Sequence, residues 1–467
     1  MSETDPALMS AETLLRLYRR GRLSPVEAVQ AVLDRIARFN PALNAFAVLD
    51  ERVLAAARAS ETRWFARRPL GLLDGVPCTV KDLVDVAGFP TRRGSLTTSD
   101  EKVRHDAPLV LGLKSAGAII VGKTTTTEFG WKSPGDCPLH GITRNPFSLR
   151  HTPGGSSSGA GAAGAACLGP LHVGTDAGGS IRIPAAWCGL VGLKPTYGRV
   201  PQWPAGAFSS VACAGPMTRT VRDAALMLSA MARFDRRDPL CLPDDARDWR
   251  EGVEDGVAGL SVAIVTQLGF VPPADAAALA AVQQAAALLA DAGATVERAD
   301  PELPDSRAIF GRLWAVALAR VVSALPPEKQ ALLDPGLRRV AASAGGVPGI
   351  DLLESEAARV ESGHAMAEFM RRYDLILCPT VPAGPPLADS PTPDPEEALW
   401  RGWAPWTFAF NLTRQPAISV PLGLGPDGLP IAVQIAAPIY RDDFALRAAR
   451  VIEKAVPAIP VPNVANT

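Results

Sequence analysis

The sequence predicts an α/β protein, a single large α/β/α domain with a mixed central β-sheet flanked by helices. Two observations carry this expectation. Between Val221 and Asp300 the pattern runs helix, strand Leu260–Val265, alanine-rich helix Ala274–Ala292, strand Thr295–Ala299. That alternation is the signature of layered α/β architecture. Near the end, Ala417–Val420 and Ile431–Ile435 flank a turn at Pro426-Asp427-Gly428 and read as a hairpin. A hydrophobic content of 47% with 20% charged residues supplies the core such a fold needs.

Taken in order, residues 1–70 read as N-terminal helices. Ser24-Pro25-Val26-Glu27 combines a capping serine, proline at the first helical position and glutamate three after the cap. Val26, Val29, Leu33 and Ile36 then share one face. Residues 71–220 are expected to form the core of the site. Gly71–Val80 shifts to a strand-like run that ends at Lys81-Asp82, and Leu171–Val173 reads as a short strand. Between them AGAAGAACLG, from Ala160, suits a helix packed closely on a sheet because nearly every side chain is small. Residues 221–390 are expected to supply the variable, substrate-facing part, with Gly293 capping a helix and Leu375–Cys378 a buried strand. Residues 391–467 complete the core and end in a helix at about Asp443–Lys454.

Several classes of function are excluded. The formal charge of −1 leaves no electrostatic footprint for nucleic acid. No run approaches the ~18 uninterrupted apolar residues of a membrane span, and no secretory signal is read at the N-terminus. The seven cysteines, scattered and without a C-x-x-C pair, read as free thiols rather than zinc ligands, so no metal site is expected and the default location is cytoplasmic. Gly117–Thr124 matches the phosphate-binding loop expression, but Ala118, Ile119, Ile120 and Val121 read as a strand where that motif needs a loop. No G-x-G-x-x-G follows the first strand, so neither a dinucleotide nor any other cofactor is expected. Gly155–Gly159 satisfies G-x-S-x-G, yet no strand precedes it, and the later histidines, His172 and His364, sit in no recognisable setting.

What remains is a pair of serine-bearing glycine turns, Gly154–Gly159 and Gly174–Arg182, and a lysine flanked by Val76, Val80, Leu83 and Val84. Successive N–H groups in such turns form anion-binding concavities, and one of these can serve a developing oxyanion. A serine hydroxyl is a weak nucleophile unless a base takes its proton. Lysine serves as that base only when neutral, which needs a pKa lowered by roughly 2–3 units, within reach of burial.

GGSSSG, GTDAGGSIRIPAAWCGLVGLKPT and the preceding GVPCTVKD resemble the motifs of the amidase signature family. The likeness begins near Leu33–Val48, includes Val121–Pro146 and returns at Gln415–Gln434. GGSSSG departs from the commoner GGSSGG at the third serine and leaves the first two in place. The resemblance implies that Ser180 is the nucleophile, that Ser156 is a cis-serine relaying protons, and that Lys81 is the base. It further implies an oxyanion hole of Ala177, Gly178, Gly179 and Ser180 backbone N–H groups. Ser157 is expected to support the network by a hydrogen bond, and Asp176 and Arg182 to hold the loop without taking part in chemistry. Gly130 and Trp131 align with the segment lining the leaving-group side. Trp187, Trp203, Trp400, Trp403 and Trp406 are candidates for an aromatic channel or for core.

The expected activity is hydrolysis of a small-molecule carboxylic amide, aryl amides, carbamates and esters being related candidates, by a monomer or homodimer. The alternative is the glutaminase subunit of a tRNA-dependent amidotransferase. Those subunits carry a tyrosine-containing segment where residues 330–375 here hold only Tyr373.

Overall fold

Lys81 and Asp176 end adjacent parallel strands, and the fold is best read from that pair outward. The computed structural model describes residues 5–244, 247–389 and 404–464. Within them lie thirteen strands: β1 (Phe46–Leu49), β2 (Pro77–Lys81), β3 (Ile119–Thr124), β4 (Asp136–Cys137), β5 (Gly141–Ile142), β6 (Leu171–Asp176), β7 (Val191–Lys194), β8 (Cys213–Thr218), β9 (Ser261–Ile264), β10 (Thr295–Arg298), β11 (Leu375–Pro379), β12 (Ala417–Leu424) and β13 (Pro430–Ala436). Strands β4 and β5 make a small ribbon. The other eleven form one sheet in the order β1-β3-β2-β6-β8-β7-β12-β13-β11-β9-β10.

The sheet is mixed. Parallel β3, β2 and β6 sit towards one end and parallel β11, β9 and β10 at the other, joined by antiparallel pairs through β8, β7, β12 and β13. Helices cover its faces. Val221–Met231, Ala276–Asp291 and Asp442–Ala455 contribute to the main apolar cluster with Val80, Val173 and Ile435 of the sheet.

Local rules account for several elements. Helix Pro25–Leu43 opens with the expected capping box, Ser24 Oγ accepting from Glu27 N and the Glu27 carboxylate from Ser24 N. Gly293 follows helix Ala276–Asp291 at φ +93°, the left-handed cap that glycine allows. Helix Ser158–Ala165 is built from glycine, alanine and one serine because nothing larger fits. A Cβ on Gly159 would lie 2.2 Å from the Ala45 carbonyl oxygen, and one on Gly164 2.7 Å from Leu190.

Three strands of the main sheet, and both strands of the small ribbon, have no counterpart in the sequence reading. β1 is short, and β7 and β8 carry Gly192, Gly215 and Pro216, which dilute any strand signal. Ile119–Thr124 is the strand β3, as expected for the false phosphate loop, and Lys123 on it is buried against Asp82 at 2.8 Å. No described helix is long and apolar enough to cross a membrane.

Candidate active site

At the carboxyl ends of β2 and β6, where ligands collect in open α/β sheets, Lys81 is wholly buried. Its Nζ lies 2.8 Å from Ser156 Oγ and 2.9 Å from Ser157 Oγ, and donates to the Thr175 carbonyl at 3.3 Å. Burial holds its pKa well below that of a free lysine, and the opposing pull of Asp176 is the weaker influence. Ser156 and Ser157 sit immediately before helix Ser158–Ala165, and the peptide bond between Gly155 and Ser156 is cis. The Ser157 N–H donates to the Ser180 carbonyl at 3.3 Å, which ties the two glycine turns together. Ser156, Thr175, Ala177 and Ser180 all line one cavity of about 350 Å³.

The loop bearing Ser180 is held from behind by charge. Asp176 and Arg182 are both fully buried and joined by two hydrogen bonds of 2.9 and 3.0 Å. Burial alone would raise the Asp176 pKa; Arg182, Asn411 and more distant Lys194 outweigh it and keep the carboxylate ionised. Arg182 also donates to the Thr407 carbonyl, Gln434 Oε1 and Asn411 Oδ1, while Asn411 Nδ2 donates to the Asp176 carboxylate and carbonyl. Thr407 Oγ1 donates to the Gly178 carbonyl at 2.7 Å. All three guanidinium nitrogens of Arg182 thus meet acceptors, the condition under which a buried ion pair is tolerated. Asn411, Thr407 and Gln434 stand in no motif of their own in the sequence, although Gln434 closes one of the matched stretches.

One expectation needs correction. The Gly179 N–H donates to Asp176 Oδ1 at 2.7 Å, so it is committed to holding the loop and not open to a substrate oxygen. Gly179 is required for a different reason. Its φ is +123°, and a Cβ there would lie 2.3 Å from Thr407 Oγ1.

Gly130 and Trp131 part company. Gly130 lines the cavity at φ +76°, and a Cβ on it would lie 3.2 Å from Ser156 Oγ. Trp131 turns into an apolar cluster instead, its carbonyl accepting from Trp314 Nε1, and Phe129 takes its place on the cavity wall. Trp203 lines the cavity, whereas Trp187 and Trp406 are core; Trp400 and Trp403 lie outside the described residues. Phe208 continues the wall and begins an aromatic stack through Trp314 and Phe310 to Phe408, with Phe310 packed on Gly178. Beside Phe129, the buried Glu128 accepts from Ser95 Oγ at 2.6 Å and from Asp334 N at 2.7 Å, and burial pushes its pKa up to about 7.

Neither rival motif has the geometry it needs. Ser157, the centre of G-x-S-x-G, is fully buried against Lys81 and Thr175. His172 is buried between Thr79 and the Gly169 carbonyl, and its pKa falls to about 3 because of that burial. Among the described residues no cluster of histidine, cysteine and carboxylate side chains has the arrangement of a metal site.

Comparison with known proteins agrees with this architecture. A family model described as Amidase matches residues 27–446. The chain is similar to an acylamidase of Rhodococcus erythropolis, 37% identical over 98% of this chain and 97% of that one. It is 35% identical to a subunit of the glutamyl-tRNA(Gln) amidotransferase of Symbiobacterium thermophilum, over 96% of each chain. Among solved structures, a bacterial aryl acylamidase of the amidase signature family superposes with a TM-score of 0.89 at 29% identity, covering 96% of each chain. The chain belongs to the amidase signature family, hydrolases of amide carbon–nitrogen bonds.

Proposed function

We propose that this protein cleaves a carboxylic amide, aryl amides among them, or the related carbamates and esters, through Ser180, Ser156 and Lys81 by way of an acyl-enzyme. The observation that carries the reading is the buried Lys81 amine 2.8 Å from Ser156 Oγ, in the cavity that Ser180 also lines. A neutral amine has two protons and one lone pair. The Thr175 carbonyl can only accept, and a second proton meets Ser157, so the lone pair is left for the Ser156 hydroxyl. Ser156 in turn takes the proton of Ser180 as Ser180 Oγ attacks the substrate carbonyl carbon. The negative charge develops against the N–H groups of Ala177, Gly178 and Ser180. The proton held at Lys81 returns through Ser156 to the departing nitrogen, and water then releases the acid from Ser180.

Incubation with a fluorophosphonate, followed by intact-mass and peptide mapping, tests this. A single adduct on Ser180, absent in Ser180→Ala, is expected; an adduct on Ser157 would overturn the assignment.

Similarity to the amidotransferase chain supports glutaminase activity as the second reading. Against it, Tyr373, the one tyrosine in 330–375, bonds to Glu297 and Arg372 and is not on the cavity wall. Much of that wall is apolar, with Leu83, Val84, Leu109, Phe208, Val321 and Leu325 in it. Glutamine hydrolysis assayed with and without a partner protein separates the two.

A further inference from the structure

Arg93 occupies the junction between the end of β2 and the wall of the cavity. Its N–H donates to the Asp82 carbonyl at 3.1 Å, and its own carbonyl accepts from Phe129 N at 2.8 Å. Its φ is +54°, a left-handed backbone uncommon for a residue with a long side chain. The residue lines the same cavity as Ser156 and Ser180 and is half-buried. Among the described residues no carboxylate, carbonyl or hydroxyl accepts from its guanidinium.

Acids close by in sequence pair elsewhere, Asp82 and Asp85 through one carboxylate oxygen each. Asp82 takes Lys123, Asp85 takes His105 at 2.9 Å, and the neighbouring Arg92 has Asp100 for itself. The other guanidinium on the cavity wall, Arg320, donates to the Gly206 carbonyl. The wall therefore carries two arginines against one carboxylate, an excess of positive charge in a chain whose net charge is −1.

We infer that Arg93 is a specificity-determining residue that binds a carboxylate on the amine half of the substrate, so that the favoured substrates are N-acyl derivatives of amino acids or aminobenzoates. The guanidinium fork matches a carboxylate with two parallel N–H donors, and a partly desolvated wall strengthens that pairing. The side of the substrate follows from the main chain. Arg93 holds Phe129, Phe129 adjoins Gly130, and Gly130 packs on Ser156, the group that hands the proton to the departing nitrogen. This inference rests on the serine–lysine reading above.

Binding separates the two ideas. Calorimetry on Ser180→Ala with 4-acetamidobenzoate and with its neutral carboxamide isostere measures Arg93 apart from the chemistry. The carboxylate should bind about tenfold more tightly or better, and R93Q in the same background should abolish the difference. R93K should restore part of it, and added salt should narrow it. Equal binding of the two ligands, or R93Q weakening both by the same factor, would overturn the inference. Cleavage of the same pair by the unmodified protein judges the catalytic reading: a protein that prefers the carboxylate in binding yet cleaves neither keeps Arg93 and loses the mechanism.

Discussion

Replacing Lys81 with methionine removes an amine while nearly preserving volume, and its two effects should diverge. Lys81 has no solvent contact, and the nearest acid acting on it, Asp176, is committed to Arg182. Burial therefore wins, and the lysine is neutral over a range where a free lysine is charged. Methionine thus breaks no ion pair. It loses neutral contacts to Ser156, Ser157 and Thr175, worth about 0.5–1.5 kcal/mol each, and relieves the desolvation of an amine. The net change in stability should stay within about 2 kcal/mol. Activity should collapse. A base that works as a unit with its nucleophile accounts for roughly 10⁴–10⁶ in rate, or about 5–8 kcal/mol of transition-state stabilisation. The assay is kcat/KM for an anilide, with Tm recorded by calorimetry at the same pH. In the unmodified protein kcat/KM should fall as pH drops through the lowered lysine pKa, because only the neutral amine accepts a proton. Stability should rise with pH between that value and the ordinary lysine value, since the unfolded chain binds the extra proton there, and Lys81→Met should lack this rise. Activity within tenfold of the unmodified protein would refute the reasoning. A Tm fall of more than about 10 °C would refute its account of a neutral, unpaired lysine.

Asn411→Leu should be far more damaging to the fold. It leaves the fully buried Arg182 and Asp176 each short of a partner, at about 3–5 kcal/mol by urea denaturation, and a change below about 1 kcal/mol would contradict the network. For Glu128 the sign is opposite to that of a salt-bridged acid. Its pKa is raised by burial to about 7, so the folded state holds a proton that the unfolded state has released. Stability should decline by about 3 kcal/mol as pH climbs from the ordinary glutamate value to about 7 and level off above it. Glu128→Gln should flatten that decline in a Tm–pH series; an identical slope in both proteins would remove Glu128 as its source.

Local rules make the layered fold and the three proposed reacting groups legible. Capping at Ser24, the small-residue helix after Ser158 and the hairpin around Asp427 each follow from neighbours within a few residues. Lys81, Ser156 and Ser180 sit inside glycine-punctuated motifs that carry their own signal. Asn411 and Gln434 have no such signal, because each matters only through Arg182, 229 and 252 residues away. Trp131 misleads because an aromatic residue beside a cavity-lining glycine looks like wall. The positive φ of Phe129 decides which ring faces in, and no pattern in TEFGW reveals it. Nothing in GTDAGGS tells that the Gly179 N–H turns to Asp176, 2.7 Å away.

The clasp on Arg182 also sets an order of assembly during translation. The turn bearing Ser180 and Arg182 leaves the ribosome long before Thr407, Asn411 and Gln434, the groups that satisfy its guanidinium. A nascent chain halted in between would carry Asp176 and Arg182 paired with each other but lacking the groups that complete their burial. Such a chain has its serines and its lysine in hand and still no finished loop to present them. Completion of the loop is thereby deferred until Gln434 has emerged, and split versions of the protein divided after residue 244 should show amidase activity only when both fragments meet.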